Sequence, residues 1–247
     1  MGNQNGLETN YLYGNLKKSS EGHNEDWKKV GKWTYWFPNG RKREEGNYKD
    51  GNEDGLWTFW WDNGQKRWEG TYKDGKQDGL WTFWNKNRDK EIEGTYKNGK
   101  KDGKWFYYYG YYDDEKRWEV TYKDGEKDGL WTDWNNNGKK KYERTYKDGE
   151  LDGLWTVWYY NGQKEKKGTY KDGKEDGKFT SWYYTGQREE KGTYKDGKKD
   201  GLWTGWYKNG QKSYKTTYKD GDLISEECWD EDGNECECYE NWREGCI

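Results

Sequence analysis

The stretch GLWTFWWDNGQKRWEGTYKDGKQD, residues 55–78, decides the fold of this chain because variants of it recur along most of the sequence. Its first glycine returns with a spacing of 24 residues in six of seven intervals and of 26 residues in the other. The eight positions are Gly31, Gly55, Gly79, Gly103, Gly129, Gly153, Gly177 and Gly201. A fixed period of this length is typical of repeat arrays, in which each unit buries its apolar face against its neighbours.

A single repeat is predicted to form a β-hairpin. Residues 56–61 are rich in aromatic side chains and Thr, which suit a pleated strand. Asn63-Gly64 predicts a type I′ turn, Gln65 to Lys73 form the return strand, and Asp74-Gly75 turns the chain again. The chain has no alanine, which disfavours helix. We therefore expect an all-β protein: an elongated array of about eight stacked antiparallel β-hairpins that form one twisted sheet or solenoid.

Aromatic side chains recur at fixed places in the repeat and are predicted to form the core. The first strand carries two tryptophan columns three residues apart, and the return strand carries a tyrosine two residues after a glycine. Because residues i and i+2 of a strand face the same side, this glycine and tyrosine can both face one tryptophan column, and the glycine lets an indole ring lie on the backbone. The odd spacing of the two tryptophan columns requires either a bulge or aromatic residues on both faces. We favour one aromatic face, with the second column partly exposed.

The position before the second tryptophan varies, and we therefore interpret it as non-core and available for binding. It holds Tyr35, Phe59, Phe83 and Tyr107, then Asp133, Val157, Ser181 and Gly205 further along the chain. The fourth full repeat carries a two-residue insertion around Gly110 to Asp114, which adds Tyr109, Tyr111 and Tyr112 as binding candidates. A tolerated insertion at a loop tip is the favoured reading of that segment. Val120, Arg144 and Thr216 replace the strand glycine and should disturb the aromatic stacking locally.

The charge of the chain is distributed unevenly. Residues 1–220 carry 44 Lys and Arg against 38 Asp and Glu, whereas residues 221–247 carry one Arg against ten acidic residues. Charges of both signs alternate within the repeats, which disfavours a nucleic-acid surface. The composition divides the chain into a polar N-terminal segment or cap (1–30), eight repeats (31–221) and an acidic C-terminal cap (222–247). The polar N-terminus has no apolar signal core, and the sequence has no apolar run long enough to span a membrane.

The pattern G-x-W-T-x-W, then N-G, then G-x-Y-K-D-G-x-x-D-G resembles the MORN-variant repeat over about residues 31 to 221. The resemblance implies stacked β-hairpins in an elongated antiparallel sheet. It extends to bacterial proteins labelled as YwqK-type antitoxins, which implies a dedicated protein partner. Related MORN repeats are linked to membrane lipids, dimerisation and scaffolding. The shorter choline-binding type of hairpin repeat is a less similar alternative.

Four cysteines lie in the acidic tail with the spacing C-x7-C-x-C-x7-C: Cys228, Cys236, Cys238 and Cys246. They allow three disulfide pairings, among which the sequence does not choose. Disulfides that fasten a terminal cap are favoured over a zinc site, because structural zinc usually binds C-x2–4-C pairs, and over free thiols. Disulfide bonds would indicate an extracytoplasmic compartment, and reduced thiols or zinc a cytoplasmic one.

The sequence favours a non-enzymatic scaffold without a cofactor. His23 is the only histidine, which removes histidine-based nucleophile systems, and the recurrent Asp residues are explained by recurrent turns. Another protein is the favoured partner, with an antitoxin-like role as a special case, and nucleic acid is not expected. Binding of membrane lipid or glycan is the first alternative, and self-assembly through open sheet edges is the second.

Overall fold

A computed structural model of the chain describes residues 5–12, 14, 17–109 and 115–238. The chain divides into two compact units, which we call the N-terminal unit (Met1–Glu126) and the C-terminal unit (Lys127–Ile247). The described residues contain β-strands and turns and no helix, so the prediction of an all-β hairpin array is confirmed.

The described residues of the N-terminal unit form ten strands, and neighbouring strands in this series pair antiparallel from β1–β2 to β9–β10. These are β1 (Gly6–Tyr11), β2 (Lys18–Glu25), β3 (Lys28–Trp36), β4 (Lys42–Lys49), β5 (Asn52–Trp60), β6 (Lys66–Lys73), β7 (Lys76–Trp84), β8 (Lys90–Lys97), β9 (Lys100–Tyr108) and β10 (Lys116–Lys123). The hairpin β1–β2 precedes the first repeat that the sequence predicts, and β2 pairs with β3.

The C-terminal unit has the same antiparallel hairpin pattern. Its strands are β11 (Glu126–Trp134), β12 (Lys140–Lys147), β13 (Glu150–Trp158), β14 (Lys164–Lys171), β15 (Lys174–Glu175), β16 (Gly177–Trp182), β17 (Arg188–Lys195), β18 (Lys198–Trp206), β19 (Lys212–Lys219), β20 (Asp222–Trp229) and β21 (Glu235–Cys236).

The chain turns at both predicted places, but the type I′ geometry predicted for Asn63-Gly64 is wrong. Gly64 has a φ of 88°, but Asn63 does not have a positive φ, so Asn63-Gly64 is not a type I′ turn. The backbone N–H of Trp61 donates to Gln65 O at 2.7 Å, and that of Gly64 donates to Trp61 O at 2.8 Å, which closes a three-residue loop with one left-handed glycine. The type I′ geometry occurs instead at Asp74-Gly75, whose φ angles are 49° and 74°.

First-column tryptophans form the core, together with the return-strand glycines beneath them. Trp33, Trp57, Trp81, Trp105 and Trp203 are at most 2% exposed. A Cβ atom added to Gly70 would lie 2.2 Å from the Trp81 ring, and the equivalent glycines of these repeats show the same close approach. The ring of Tyr72 meets that of Trp81 edge-on at 5.1 Å. The predicted arrangement of Trp, Gly and Tyr is therefore confirmed.

The second tryptophan column is partly buried, as expected, but the single aromatic face that we favoured is not observed. Lys42 Nζ lies 5.8 Å from the Trp60 ring and also forms an ion pair with Glu45, whose carboxylate accepts from Thr34 Oγ1 at 3.1 Å. Thr34 follows the buried Trp33 and therefore points to the opposite face. Aromatic residues thus cover both faces, and a register irregularity also precedes the second column.

Candidate interaction surfaces

The predicted binding residues Tyr35, Phe59, Phe83 and Tyr107 lie on the same face as the first tryptophan column and are partly buried. The Tyr35 ring stacks on Trp33 at 5.9 Å, and the Phe59 ring lies 6.1 Å from Trp57. The position that we interpreted as non-core therefore contacts the core. Tyr109 is also partly buried, whereas Tyr111 and Tyr112 lie outside the described residues.

Cross-strand neighbours extend this set and were missed by the sequence reasoning. Phe59 pairs with Trp68, and their ring centroids are 3.5 Å apart; Tyr107 pairs with Trp118, with the rings 5.0 Å apart. The missed residues share one return-strand position, and their pairing across the hairpin would have identified them. We call the combined set the aromatic stripe: Tyr35, Phe59, Trp68, Phe83, Ile92, Tyr107 and Trp118.

Exposed arginines border the aromatic stripe at the residue that the register irregularity leaves unpaired. The guanidinium of Arg43 lies 5.6 Å from the Tyr35 ring, and that of Arg117 lies 4.3 Å from the Trp118 ring. Arg67, at the equivalent position, lies 4.4 Å from the ring of Trp61. The stripe therefore combines apolar rings with an exposed positive border.

Lysine ammonium groups lie over first-column tryptophans in several repeats. Each of these lysines precedes its tryptophan by four residues, and the distances from Nζ to the ring centroid run from 4.0 to 4.5 Å. The pairs are Lys29 with Trp33, Lys101 with Trp105, Lys127 with Trp131, and Lys199 with Trp203. Cations are attracted to aromatic faces, so this position of the repeat places an ammonium group against the tryptophan ring.

The C-terminal unit contains a cavity of about 440 Å³ where the aromatic side chains of the stripe position are missing. Ser181 stands at that position here, opposite Glu190, whereas at the equivalent Gly205 the ring of its cross-strand partner Tyr214 lies against the glycine. Phe179 takes the place of the first-column tryptophan. Removal of large side chains from an otherwise repeated packing arrangement leaves this space open.

Several charged side chains line the cavity. Glu190 accepts hydrogen bonds from the Tyr214 hydroxyl and from Lys199 Nζ, the latter at 3.1 Å. Burial raises the pKa of the Glu175 carboxyl, while the nearby charge of Lys166 opposes that shift. The remaining carboxylates at its wall belong to Glu165 and Glu189.

The cysteine tail forms at least one disulfide within the described residues. Cys228 and Cys238 are bonded, with their Cα atoms 5.3 Å apart, and Cys236 is not a free thiol. Cys246 lies outside the described residues. The bond between Cys228 and Cys238 leaves neither sulfur as a thiolate for zinc, and the described part of the chain holds no group of three or more candidate metal ligands.

No helix in the described ranges is long and apolar enough to cross a membrane.

Comparison with protein families assigns the fold to a repeat class. The MORN repeat variant matches residues 29–50, 53–74, 127–148, 151–172, 175–196 and 199–220. Six segments of 22 residues cover 132 of 247 residues, so the chain belongs to the MORN repeat variant family. A search of curated proteins gave no match, and the resemblance to antitoxins therefore has no support from a relative.

The matched segments leave out residues 75–126, where the repeat departs from its pattern. Arg88, with a φ of 81°, takes the left-handed position that glycine holds in the equivalent loops. The two-residue insertion of the fourth full repeat falls in the same interval. The strands on either side of these two segments, β7 with β8 and β9 with β10, still pair antiparallel.

Proposed function

We propose that this chain is a non-enzymatic scaffold that binds another protein through the aromatic stripe of the N-terminal unit. The observation that supports this proposal is the row of partly exposed rings bordered by Arg43, Arg67 and Arg117. Aromatic and arginine side chains are enriched at protein interfaces, because they bury large areas and offer planar hydrogen-bond donors.

The chemistry of the stripe favours a partner segment with apolar and acidic side chains. Apolar residues of the partner would lie on rings such as Phe59 and Phe83, and its carboxylates would meet the arginines. Arginine binds carboxylates with two parallel hydrogen bonds, which gives the contact a defined direction. A basic segment would instead be repelled. The antitoxin-type assignment is a narrower form of this proposal, in which the partner is one toxic protein.

Selection of peptides by the full-length protein tests the proposal. A displayed library of random 16-residue peptides is selected on the wild type, and the enriched sequences should combine aliphatic or aromatic residues with Asp and Glu. Replacement of Arg43, Arg67 and Arg117 by Gln should weaken binding of an enriched peptide about tenfold or more, because each lost charged hydrogen bond is worth about 1.5–3 kcal/mol.

A second variant tests the rings without inserting a foreign residue type. Phe59→Val with Phe83→Val copies the side chain that Val157 provides at the same position of the C-terminal unit. It should weaken peptide binding, while Glu189→Gln in the C-terminal unit should leave it unchanged. Enrichment of basic peptides, or equal affinity of all variants, would contradict the proposal.

Parallel measurements distinguish a protein partner from membrane lipid, glycan and self-assembly. Vesicles of anionic phospholipid that bind the wild type and release it with salt would move the assignment to a membrane surface. Quenching of tryptophan fluorescence by soluble glycans would assign a carbohydrate site. Concentration-dependent association without a partner would assign self-assembly.

A further inference from the structure

The repeat position four residues before the first tryptophan column holds a lysine ammonium group over the ring in several repeats, whereas two repeats carry a glutamate there, Glu53 and Glu175. Lys199 Nζ lies 4.0 Å from the Trp203 ring and 3.1 Å from the Glu190 carboxylate. In the preceding repeat the same position is Glu175, four residues before Phe179. That repeat therefore has the aromatic ring and a carboxylate, but not the lysine.

The repeat position held by Glu175 borders the cavity of the C-terminal unit. Phe179 lies 6.4 Å from the ring of Trp155 and 5.6 Å from that of Tyr194, and all three rings line the cavity together with Glu175. The Glu175 carboxylate forms no hydrogen bond or ion pair with any residue in the described part of the chain. A partly buried carboxylate beside aromatic rings is a suitable counter-ion for a cation from outside.

Two unpartnered hydroxyl groups give this cavity the character of a binding site rather than a packing defect. Ser181 and Ser213 are 3% and 5% exposed and both line the cavity. Neither side chain has a hydrogen-bond partner among the described residues. Both serines line the cavity, so a polar ligand bound there can hydrogen-bond to their hydroxyls.

The charge balance of the cavity determines which ligand fits. Four glutamates line it, at positions 165, 175, 189 and 190, against Lys166 and Lys199. The Lys199 ammonium is already paired with Glu190, which leaves three carboxylates facing one lysine. An anion is disfavoured by this excess of negative charge, whereas a cation with several hydrogen-bond donors is favoured. The volume lies within the roughly 300–1,000 Å³ that ligand sites occupy.

We propose that this cavity binds a primary ammonium group, supplied either by a lysine side chain of another protein or by a free aliphatic amine. The ammonium lies between the Glu175 carboxylate and the ring of Phe179, and it donates to the hydroxyl of Ser181. The site is separate from the aromatic stripe and goes beyond the proposed function, since it does not depend on the binding of any peptide by the N-terminal unit.

Calorimetric titration of the full-length protein tests the site with three probes. These are 1,5-diaminopentane, the peptide acetyl-Gly-Lys-Gly-amide, and the same peptide with the lysine acetylated at Nε. Saturable binding of one or both ammonium probes, without binding of the acetylated peptide, supports the proposal. Binding of the diamine alone assigns a free amine as the source, and binding of the lysine peptide assigns a side chain of a partner.

Matched variants locate the binding. Glu175→Gln should weaken the affinity about tenfold, because it removes the charge and keeps the shape. Ser181→Phe restores the residue found at Phe59 and Phe83 and should abolish binding by filling the cavity. Glu53→Gln is the control: it stands at the same repeat position, where the stacked rings of Phe59 and Trp68 fill the space.

Several results would overturn the proposal. These are the absence of binding by both ammonium probes, equal binding of the acetylated peptide, an unchanged affinity in Glu175→Gln, or equal weakening by Glu53→Gln. The unfolding temperature of each variant is measured alongside, and Ser181→Phe provides a second test if Glu175→Gln does not fold.

Discussion

At the scale of single residues, the close contact between a tryptophan and a strand glycine stabilises the regular repeats. Gly70→Ala should destabilise the protein by about 1–3 kcal/mol, because the new Cβ atom would lie 2.2 Å from the Trp81 ring. The Trp81 side chain is fully buried, so the ring cannot move aside without disturbing its neighbours. The shift of the urea midpoint at constant slope measures this loss.

A double-mutant cycle separates this contact from a general effect of alanine in a strand. Trp81→Phe introduces the smaller ring that Phe179 provides in another repeat. Gly70→Ala should cost less in that background than in the wild type, since contacting residues are coupled. Equal costs in both backgrounds would show that the overlap with the Trp81 ring is not the cause.

Arg144 shows the consequence of losing the glycine. In the regular repeats, the indole N–H of the tryptophan donates to the carbonyl of the residue that follows the strand glycine, as Trp81 does to Thr71 O at 3.1 Å. Trp155 pairs with Arg144 across the strands, is only partly buried, and has no partner for its indole N–H. The expected local disturbance is therefore confirmed at this position.

Arg144→Gly should stabilise the protein by about 1 kcal/mol. The substitution lets the Trp155 ring move over the backbone, where its N–H can donate to Thr145 O, and a satisfied buried donor recovers about 1–3 kcal/mol. Part of this gain is offset by the flexibility of glycine and by lost contacts of the guanidinium with Trp131. Urea denaturation provides the measurement, and a lower midpoint than that of the wild type would contradict this account.

At the scale of elements, the sequence located the strands well and the turn geometry poorly. Both Asn-Gly and Asp-Gly are hairpin signals, and which of them forms a type I′ turn depends on the register of the flanking strands. Asn63 is used for a contact that a single repeat cannot reveal, because its side-chain N–H₂ donates to Lys86 O, 23 residues further on. The recurrent Asp78 likewise accepts from the backbone N–H of Asn98 in the next hairpin turn.

The candidate sites were only partly predictable for a related reason. The position before the second tryptophan holds aromatic rings in the first half of the chain and smaller or polar residues in the second half, and the sequence shows this directly. Its cross-strand partners Trp68 and Glu190 follow only from the hairpin register, which places them opposite Phe59 and Ser181. The sequence also left three disulfide pairings open, because spacing alone does not define distance.

The C-terminal hairpin β20–β21 depends on its disulfide. Cys238→Ser should lower the local stability of this hairpin by about 2–3 kcal/mol, since the bond to Cys228 closes a short loop. The backbone amides of β20 should then exchange with solvent roughly 30- to 150-fold faster, as measured by NMR. Amides of β13 serve as the internal control, and unchanged exchange in β20 would contradict a stabilising role for this bond.

At the scale of the whole molecule, the tyrosines of the repeats couple stability to alkaline pH. Burial raises the pKa of a tyrosine in many repeats, because the charged phenolate is disfavoured away from water. These are Tyr35, Tyr48, Tyr72, Tyr96, Tyr107, Tyr122, Tyr159, Tyr170, Tyr183, Tyr207 and Tyr218. The largest cause is the loss of solvation in each case, and nearby carboxylates add to it for several.

The protein should therefore lose stability between about pH 10 and pH 12. Burial, with Glu53 and Glu44 nearby, raises the pKa of Tyr72 to about 12. In this range the unfolded chain releases protons that the folded chain retains, so the free energy of unfolding falls as pH rises, while below about pH 10 the contribution is complete.

Tyr72→Phe should leave the unfolding temperature at pH 7 nearly unchanged and make its decrease between pH 9 and pH 11.5 smaller. Tyr184→Phe, at a residue that is 57% exposed, is the control. Identical pH dependences of the wild type and Tyr72→Phe would show that this tyrosine does not link protonation to folding.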